Sequence, residues 1–291
     1  MISIEEWKKA GNLISCKGYD IFVQDTKDKN KDTIVLIHGF PTSSWDWKDI
    51  WVLLKKDYRL IAMDMLGFGF SDKPDPHKYS ILEQADIVEE LINDKKLINY
   101  HILAHDYGDT VTQELLARIN SMTKTTSCKS VCFLNGGLFP ETHKALFIQK
   151  LLLSRIGWLV NKLTSQKQFN NSMNKVFGPR TKPSKSELDG FWSLINYKNG
   201  RHIFHNLISY ISDRKENRER WVYALKKSKV PIALINGSMD PVSGSHMIKK
   251  YKQIICNPNW LKELESIGHY PQLEAPKDVA DYYKFFLNKI S

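Results

Sequence analysis

The sequence predicts an α/β fold in which a mostly parallel β-sheet is flanked by helices. Two observations indicate it. Short apolar runs typical of buried strands alternate with helical patterns over residues 1–139, and the same alternation resumes over residues 221–291. Between them, residues 140–220 carry only amphipathic helical patterns. We therefore expect a two-part α/β core with a helical cap inserted after its sixth strand.

Each element follows from a local pattern. Gly18 separates two short extended runs, which predict an opening hairpin at residues 13–16 and 19–24. Apolar runs predict the other strands at 33–37, 58–63, 100–103, 130–134, 231–235 and 260–265. Helical periodicity predicts core helices at 45–54, 81–95, 109–119, 245–254 and 277–288.

The bulk composition is that of an ordinary globular protein, with 291 residues, 42% hydrophobic and 25% charged. The N-terminal residues 1–12 contain charges and no apolar stretch of signal-peptide length. We therefore expect a cytoplasmic protein. The cysteines are too few and too scattered for a disulfide framework, and we expect free thiols at Cys16, Cys128, Cys132 and Cys256.

The formal net charge of +10 is unevenly distributed, because residues 141–230 hold 18 Lys and Arg against 6 Asp and Glu. Such a basic region attracts anionic substrates, phospholipid surfaces or nucleic acid. Its cations also alternate with apolar residues as on a solvated helix face, which is the interpretation we favour. No nucleic-acid motif accompanies the charges, and we expect no nucleic-acid partner. The most apolar stretch, residues 145–160, is broken by Lys150 and Arg155, so we expect no transmembrane segment.

A carboxylate occupies the position that matters most for function. Asp106 follows the strand predicted at 100–103 and precedes the helix predicted at 109–119. Its neighbours two positions away, Ala104 and Gly108, are small, as required in a sharp strand-to-helix turn that presents a nucleophile. An Asp there suits displacement at an alkyl carbon, which forms an alkyl-enzyme ester. The alternative is a surface Asp in an ordinary turn.

Two further residues complete a catalytic triad. An ester on Asp106 needs a base to activate water, and the base needs an orienting acid. Asp240 follows the strand predicted at 231–235, and His269 follows the strand predicted at 260–265. The chain order nucleophile, acid, histidine is that of hydrolases with this type of turn. We expect Asp106, Asp240 and His269 to meet at the carboxyl edge of the sheet.

An oxyanion hole is predicted from two backbone N–H groups. Phe40 lies just after the strand predicted at 33–37, and Tyr107 directly follows the nucleophile. Their N–H groups are placed to stabilise the tetrahedral intermediate of ester hydrolysis. His38 and His105 flank these donors, and we expect both to be structural.

No cofactor or metal is expected. Gly67 and Gly69 follow a predicted strand, but Asp72 stands where a dinucleotide-binding fingerprint has its third glycine. No cluster of His, Asp, Glu or Cys has the spacing of metal ligands. The expected partner is therefore a small-molecule substrate alone, and the sequence leaves the oligomeric state open.

The motifs resemble those of the haloalkane dehalogenase and epoxide hydrolase branch of α/β-hydrolases, and more narrowly the mesoderm-specific transcript proteins of animals. The resemblance extends from about Trp7 to the C-terminus. It is carried by residues 38–44 (HGFPTSS), 64–74 (DMLGFGFSDKP), 105–108 (HDYG), 135–143 (NGGLFPETH), 177–181 (FGPRT) and 268–274 (GHYPQLE).

The resemblance implies a substrate site between cap and core. Dehalogenases of this branch hold the departing halide with the indole of a Trp after the nucleophile, and with a second donor. Tyr107 and Phe40 occupy those positions here, so halide stabilisation is weakened, and Trp192 is either a replacement donor or part of the cap core. Epoxide hydrolases protonate the opened ring with cap tyrosines, for which Tyr210 and, less clearly, Tyr197 are the candidates.

Three functions stay open. The leading hypothesis is an epoxide-hydrolase-like reaction on a small apolar substrate, in which Asp106 attacks, Tyr210 protonates the oxygen, and His269 then activates water. The second is haloalkane dehalogenation by the same triad. The third is a non-catalytic binding protein that keeps the hydrolase fold. Ester hydrolysis through a serine is disfavoured because no Ser occupies the turn.

Overall fold

The computed structural model describes residues 2–121, 127–255, 258 and 260–290. The described chain forms one eight-stranded sheet in the order β1-β2-β4-β3-β5-β6-β7-β8. The strands are β1 (Asn12–Cys16), β2 (Tyr19–Asp25), β3 (Thr33–Ile37), β4 (Arg59–Met63), β5 (Tyr100–His105), β6 (Cys128–Leu134), β7 (Ile232–Gly237) and β8 (Leu261–Leu264).

The sheet is mostly parallel, as predicted. From β4 to β8 every neighbouring pair is parallel, and β2 runs antiparallel to both β1 and β4. Strands β3, β4 and β5 are buried along their whole length. Parallel strands covered by helices on both faces need continuous apolar runs, which is why these segments were recognisable in the sequence.

Helices cover both faces of the sheet and fill the connection between β6 and β7. The α-helices of the described chain are α1 (Ile4–Ala10), α2 (Lys48–Leu54), α3 (Ile81–Asp94), α4 (Tyr107–Ser121), α5 (Phe147–Leu152), α6 (Gly157–Leu163), α7 (Gln166–Val176), α8 (Lys185–Asn196), α9 (Phe204–Leu207), α10 (Tyr210–Glu216), α11 (Arg218–Lys226), α12 (Ser245–Ile254), α13 (Pro271–Glu274) and α14 (Pro276–Ile290). None of the helices in the described ranges is long and apolar enough to cross a bilayer.

The predicted elements all exist, and the differences lie at their ends. The helix predicted at 45–54 begins as a 3₁₀ turn, Ser44–Trp47, and continues as α2. The helix predicted from residue 109 begins at Tyr107, directly after the nucleophile position. No helix was predicted at residues 4–10, where α1 lies. Its N-terminus is a capping box in which Ser3 accepts from the Glu6 N–H, and the Glu6 carboxylate accepts from the Ser3 N–H.

The register of the sheet aligns the carboxyl ends of four strands. Ile37 of β3 pairs with Ala104 of β5, and His105 of β5 pairs with Leu134 of β6. Leu134 in turn pairs with Ile235 of β7. The loops that follow these strands therefore begin at one level, and residues far apart in sequence meet there.

The helices between β6 and β7 lie above this edge, where α5 to α9 contribute side chains to the same cavity as the loops of the core. The last of them, α11, packs on α4 of the core. The described cysteines Cys16, Cys128 and Cys132 are buried, and Cys256 lies outside the described residues.

Candidate active site

Asp106 lies in a sharp turn between β5 and α4, and its φ of 48° is in the left-handed region. A non-glycine residue held there is strained, and such strain is found at functional sites. The turn is possible because Gly108 lies against the end of β3. A Cβ on Gly108 would lie 2.4 Å from the Ile37 carbonyl oxygen and 2.6 Å from that of His38.

The acid and base of the predicted triad are hydrogen-bonded. Asp240 Oδ2 lies 2.7 Å from His269 Nδ1. Both side chains are buried, and both follow strands whose ends are adjacent in the sheet. Burial lowers the pKa of His269, but the charges of Asp240 and Asp106 outweigh this and raise it to about 9. Asp240 is thereby placed to orient the imidazole and to stabilise its protonated form.

Two residues that the sequence did not single out hold Asp240 in place. Asn135, directly after β6, donates from Nδ2 to Asp240 Oδ2 at 3.0 Å. Ser243 Oγ donates to the same oxygen at 2.6 Å. The position of Asn135 at the end of a buried strand was the available signal. Burial raises the pKa of Asp240, but the charge and hydrogen bond of His269, with the hydrogen bonds from Ser243 and the Val242 N–H, lower it to about 2, so Asp240 is ionised.

The Asp106 carboxylate is only 3% exposed and is anchored by a backbone donor. The Phe40 N–H donates to Asp106 Oδ2 at 3.1 Å, so the predicted oxyanion-hole donor already contacts the carboxylate. Tyr107 is the first residue of α4, and its N–H is one of the helix N-terminal amides that have no intrahelical partner. The positive end of the α4 dipole therefore faces Asp106.

Arg214 of α10 is a further contact of Asp106 that sequence reasoning missed. It is 1% exposed, and its Nη2 lies 3.0 Å from the Asp106 carbonyl oxygen and 3.4 Å from Oδ1. Its Nε donates to Thr110 Oγ1 at 2.7 Å. Burial raises the pKa of Asp106, but the charges of His269 and Arg214 outweigh this effect and bring the pKa below its ordinary value. The carboxylate is therefore ionised at neutral pH.

Arg214 could not be singled out from the sequence because its segment, residues 213–220, alternates acids and bases as an exposed helix does. Only the packing of α10 against the core turns this one cation inward. The guanidinium carbon of Arg214 also lies 4.5 Å from the centroid of the Tyr210 ring. This stacking holds the guanidinium plane beside Asp106.

His38 and His105 make the structural contacts expected of them. His38 Nε2 accepts from the Met65 N–H at 3.0 Å, and its Nδ1 lies 2.8 Å from the Gly39 carbonyl oxygen. His105 Nε2 lies 2.7 Å from the His269 carbonyl oxygen. His105 therefore connects the loop that carries His269 to the end of β5, directly before Asp106.

Glu274 makes a second connection to the loop that carries His269. Its Oε2 accepts from the N–H groups of Gly268 at 2.9 Å and Gly178 at 2.8 Å, and its Oε1 accepts from the Tyr270 N–H at 3.0 Å. One carboxylate thus joins the loop around His269 to the segment between α7 and α8.

Asp106 and His269 open onto one apolar cavity of about 120 Å³. Its wall comes from the core loops and from the helices between β6 and β7. Its apolar lining residues include Phe40, Leu152, Phe169, Met173, Val176, Trp192, Phe204 and Val242. The size and lining favour a small, largely apolar substrate or one segment of a longer chain.

The predicted cap residues take different places. Trp192 lines the cavity and packs on Phe169 with ring centroids 5.6 Å apart. Tyr210 is buried behind the lining, against Phe40 and Tyr107. Tyr197 lies elsewhere, with its ring 5.1 Å from that of Phe70.

A phenol that was not predicted, Tyr270, lines the cavity next to the base. Its ring stacks on Phe177, and its hydroxyl lies 3.4 Å from the Phe40 carbonyl oxygen. Burial and the Asp106 charge raise the pKa of Tyr210. Burial and the Asp46 charge raise the pKa of Tyr270, so both phenols stay protonated at neutral pH.

Within the described chain, no group of three or more His, Cys, Asp or Glu is arranged to hold a metal ion.

Comparisons with known proteins show the family and the fold of this chain. Residues 32–276 match the family model described as alpha/beta hydrolase fold. The mesoderm-specific transcript protein of Mus musculus is 41% identical over 295 residues, covering 98% of this chain and 88% of that protein. The putative hydrolase LipZ of Mycobacterium tuberculosis is 34% identical over 279 residues, covering 96% of each.

A solved structure shows the same fold at low sequence identity. Haloalkane dehalogenase DbeA from Bradyrhizobium elkani superposes with a TM-score of 0.79 at 18% identity, covering 96% of this chain and 98% of that chain. Together with the sequence matches, this confirms the family resemblance that the motifs predicted.

Proposed function

Because the chain belongs to the α/β-hydrolase fold family, we propose that it is a hydrolase in which Asp106 forms an alkyl-enzyme ester with an epoxide substrate. The observation that carries the proposal is the strained, buried Asp106, which shares one apolar cavity with His269. A carboxylate in this position attacks an alkyl carbon, and the resulting ester is cleaved by water.

In the first step, Asp106 Oδ1 attacks an epoxide carbon and the carbon–oxygen bond of the ring breaks. Oδ2 stays on the Phe40 N–H. The ring oxygen takes a proton from a phenol. Tyr270 lies in the cavity wall, and Tyr210 lies behind this wall with its ring beside Arg214. General-acid assistance of this kind contributes about 10²–10⁴-fold.

In the second step, His269 takes a proton from water, and the hydroxide attacks the Asp106 ester carbonyl. The oxyanion lies at the N–H groups of Phe40 and Tyr107. The ester carbon–oxygen bond then breaks, one proton of the water ends on the product hydroxyl, and the other returns to the phenolate. Ester formation removes the negative charge of Asp106, which is one cause of the raised pKa of His269. The base therefore becomes available when the ester forms.

The geometry favours epoxide opening over halide displacement because of what surrounds the leaving group. A departing halide needs N–H donors and no proton. The side chain at position 40 is a phenyl ring, and Tyr107 is buried against Phe68 and Tyr210. Trp192 in the cavity wall is the observation that keeps dehalogenation as the second candidate, since an indole N–H binds halides.

The test is the intact mass of a His269→Phe variant after incubation with 1,2-epoxyhexane and, separately, with 1-bromobutane. Without its base the ester accumulates. We expect a gain equal to the whole epoxide mass. A gain equal to the bromoalkane less HBr, with no epoxide adduct, would replace epoxide opening by dehalogenation.

Two further variants locate the chemistry. The adduct should be absent when Asp106→Ala is added to His269→Phe. Tyr210→Phe with Tyr270→Phe, in the same background, should slow the epoxide adduct at least about tenfold and leave any bromoalkane adduct unchanged. An epoxide adduct that survives Asp106→Ala would refute the proposed nucleophile, and no adduct from either compound would favour a non-catalytic binding protein.

A further inference from the structure

The segment that covers the active site exposes an unusual number of large apolar side chains. Of the twelve exposed large hydrophobic residues in the described chain, five lie within 17 consecutive residues of α5, α6 and their connection. They are Phe147 (76% exposed), Leu153 (38%), Ile156 (51%), Trp158 (58%) and Leu163 (68%). Apolar side chains grouped in this way mark a surface that contacts another apolar phase.

The same segment is strongly and exclusively basic. Residues 142–186 contain nine Lys and Arg and no Asp or Glu. Six of these cations lie on or beside α5, α6 and α7, all are exposed, and none is ion-paired within the described residues: Lys144, Lys150, Arg155, Lys162, Lys167 and Lys175. Together with the five apolar residues they form what we call the basic apolar face.

A groove on this face borders the active-site cavity. Phe147, Leu163 and Lys175 line a groove that shares wall residues with the cavity of Asp106 and His269. The shared residues are Leu146, Ile148, Thr164, Gln168 and Ser172. An alkyl chain that enters between Phe147 and Leu163 would therefore lie against side chains that also form the wall of the cavity of Asp106.

We propose that the basic apolar face docks on the surface of an anionic lipid bilayer, from which an apolar substrate reaches Asp106 through this groove. The charge pattern favours an anionic bilayer over a second copy of the chain. Six unpaired cations on each copy would repel a second copy of the chain, whereas anionic headgroups neutralise them. Exposed Trp, Phe and Leu among Lys and Arg is the composition of surfaces that insert into the headgroup region.

The docking part of this proposal stands on the surface alone, and only the delivery of a substrate rests on the proposed function. The solvated-face interpretation of the basic region accounts for its cations but does not explain why Phe147, Trp158 and Leu163 are exposed. Membrane docking accounts for both.

The test is sedimentation of the full chain, without any substrate, with phosphatidylcholine vesicles and with vesicles that contain phosphatidylserine as well. We expect binding to the anionic vesicles, weakened by added salt because exposed charges are screened. Lys162→Glu with Lys167→Glu should lower the partition coefficient at least about tenfold, since each cation near an anionic surface contributes appreciably. Trp158→Ala with Phe147→Ala should lower it by a similar factor.

Matched controls separate docking from net charge and from folding. Lys29→Glu with Lys56→Glu changes the charge equally on exposed residues outside the face, and Tyr223→Ala removes a similarly exposed aromatic side chain. Both should bind as the wild type does, and all variants should keep its thermal unfolding midpoint.

Absence of binding to anionic vesicles, or an equal loss of binding in the controls, would overturn the proposal. The proposal would also be overturned if the wild type self-associates in solution without binding vesicles, and if Trp158→Ala with Phe147→Ala abolishes this self-association. Because no substrate is present, none of these outcomes depends on the ester chemistry.

Discussion

Replacing Arg214 by Met should destabilise the protein mainly through Asp106. The guanidinium is buried, and its Nη2 lies 3.4 Å from Asp106 Oδ1 and 3.0 Å from the backbone carbonyl oxygen. Met keeps the stem of the side chain but leaves a buried carboxylate without this partner. Breaking a buried pair costs about 3–5 kcal/mol, and the long Oδ1 contact places the expected loss near 3 kcal/mol.

The assay is a double-mutant cycle by urea unfolding at neutral pH. In an Asp106→Asn background the same replacement breaks no ion pair but still loses the contacts of Arg214 with Thr110, the Asp106 carbonyl oxygen and His143, about 1–2 kcal/mol. The coupling free energy should therefore be about 1–2 kcal/mol.

The pH dependence gives a second readout of the same pair. In the wild type the pKa of Asp106 lies below its ordinary value of 3.8, so its ionised form stabilises the fold above that pH, and this stability is lost as the pH falls through the lowered pKa. Removing Arg214 raises the pKa of Asp106. The stability deficit of the variant should thus be largest near neutral pH and shrink in acid, as the carboxyl group protonates in the variant first.

A control replacement shows whether the effect belongs to the pair. Arg201 also lies in the helical segment and stacks on Trp192, but its Nη1 donates to the Thr164 carbonyl oxygen and not to a carboxylate. Arg201→Met should show no coupling to Asp106→Asn. Coupling below about 0.5 kcal/mol for Arg214, or an equal value for Arg201, would refute the electrostatic role of Arg214.

Two further predictions concern the base and the turn. Because the Asp106 charge helps to raise the pKa of His269 to about 9, the pKa of His269 should be lower in the ester intermediate. The single-turnover rate of ester hydrolysis should therefore rise with pH up to that lower pKa and then level off. A rate that falls with pH would contradict this prediction. Gly108→Ala places a Cβ 2.4 Å from the Ile37 carbonyl oxygen and should cost about 1–3 kcal/mol in thermal unfolding. In Gly18→Ala the Cβ meets nothing within 4 Å and only the positive φ is strained, so this control should cost less than Gly108→Ala.

Much of the core could be predicted because its signals are local. Strands such as β3 and β5 are buried on both faces, and continuous apolar runs identify them without knowledge of their neighbours. The first helix was missed although its signal is also local. Its capping box, Ser3 with Glu6, is visible in the sequence, but the helix is only seven residues long and buries one side chain, Trp7.

The candidate triad was predictable for a similar reason. Asp106 directly follows β5, and Asp240 and His269 lie in the loops after β7 and β8. The carboxyl ends of parallel strands share one edge of the sheet. The supporting residues were harder to predict. Asn135 has the same position after a strand but no distinctive chemistry, and Arg214 lies on a helix whose sequence pattern is that of an exposed element.

The sequence by itself determined the order of strands and helices, the place of a carboxylate in the strand-to-helix turn, and the excess of positive charge in the helical segment. These features depend on periodicity, on residue type and on composition, which need no knowledge of distant contacts. Only the tertiary structure decided that Arg214 faces Asp106, that Tyr270 and not Tyr197 borders the cavity, and that a groove beside exposed apolar residues shares part of its wall with the cavity. The direction in which a helix turns its side chains depends on the surface against which it packs, and that surface is formed by parts of the chain far away in sequence.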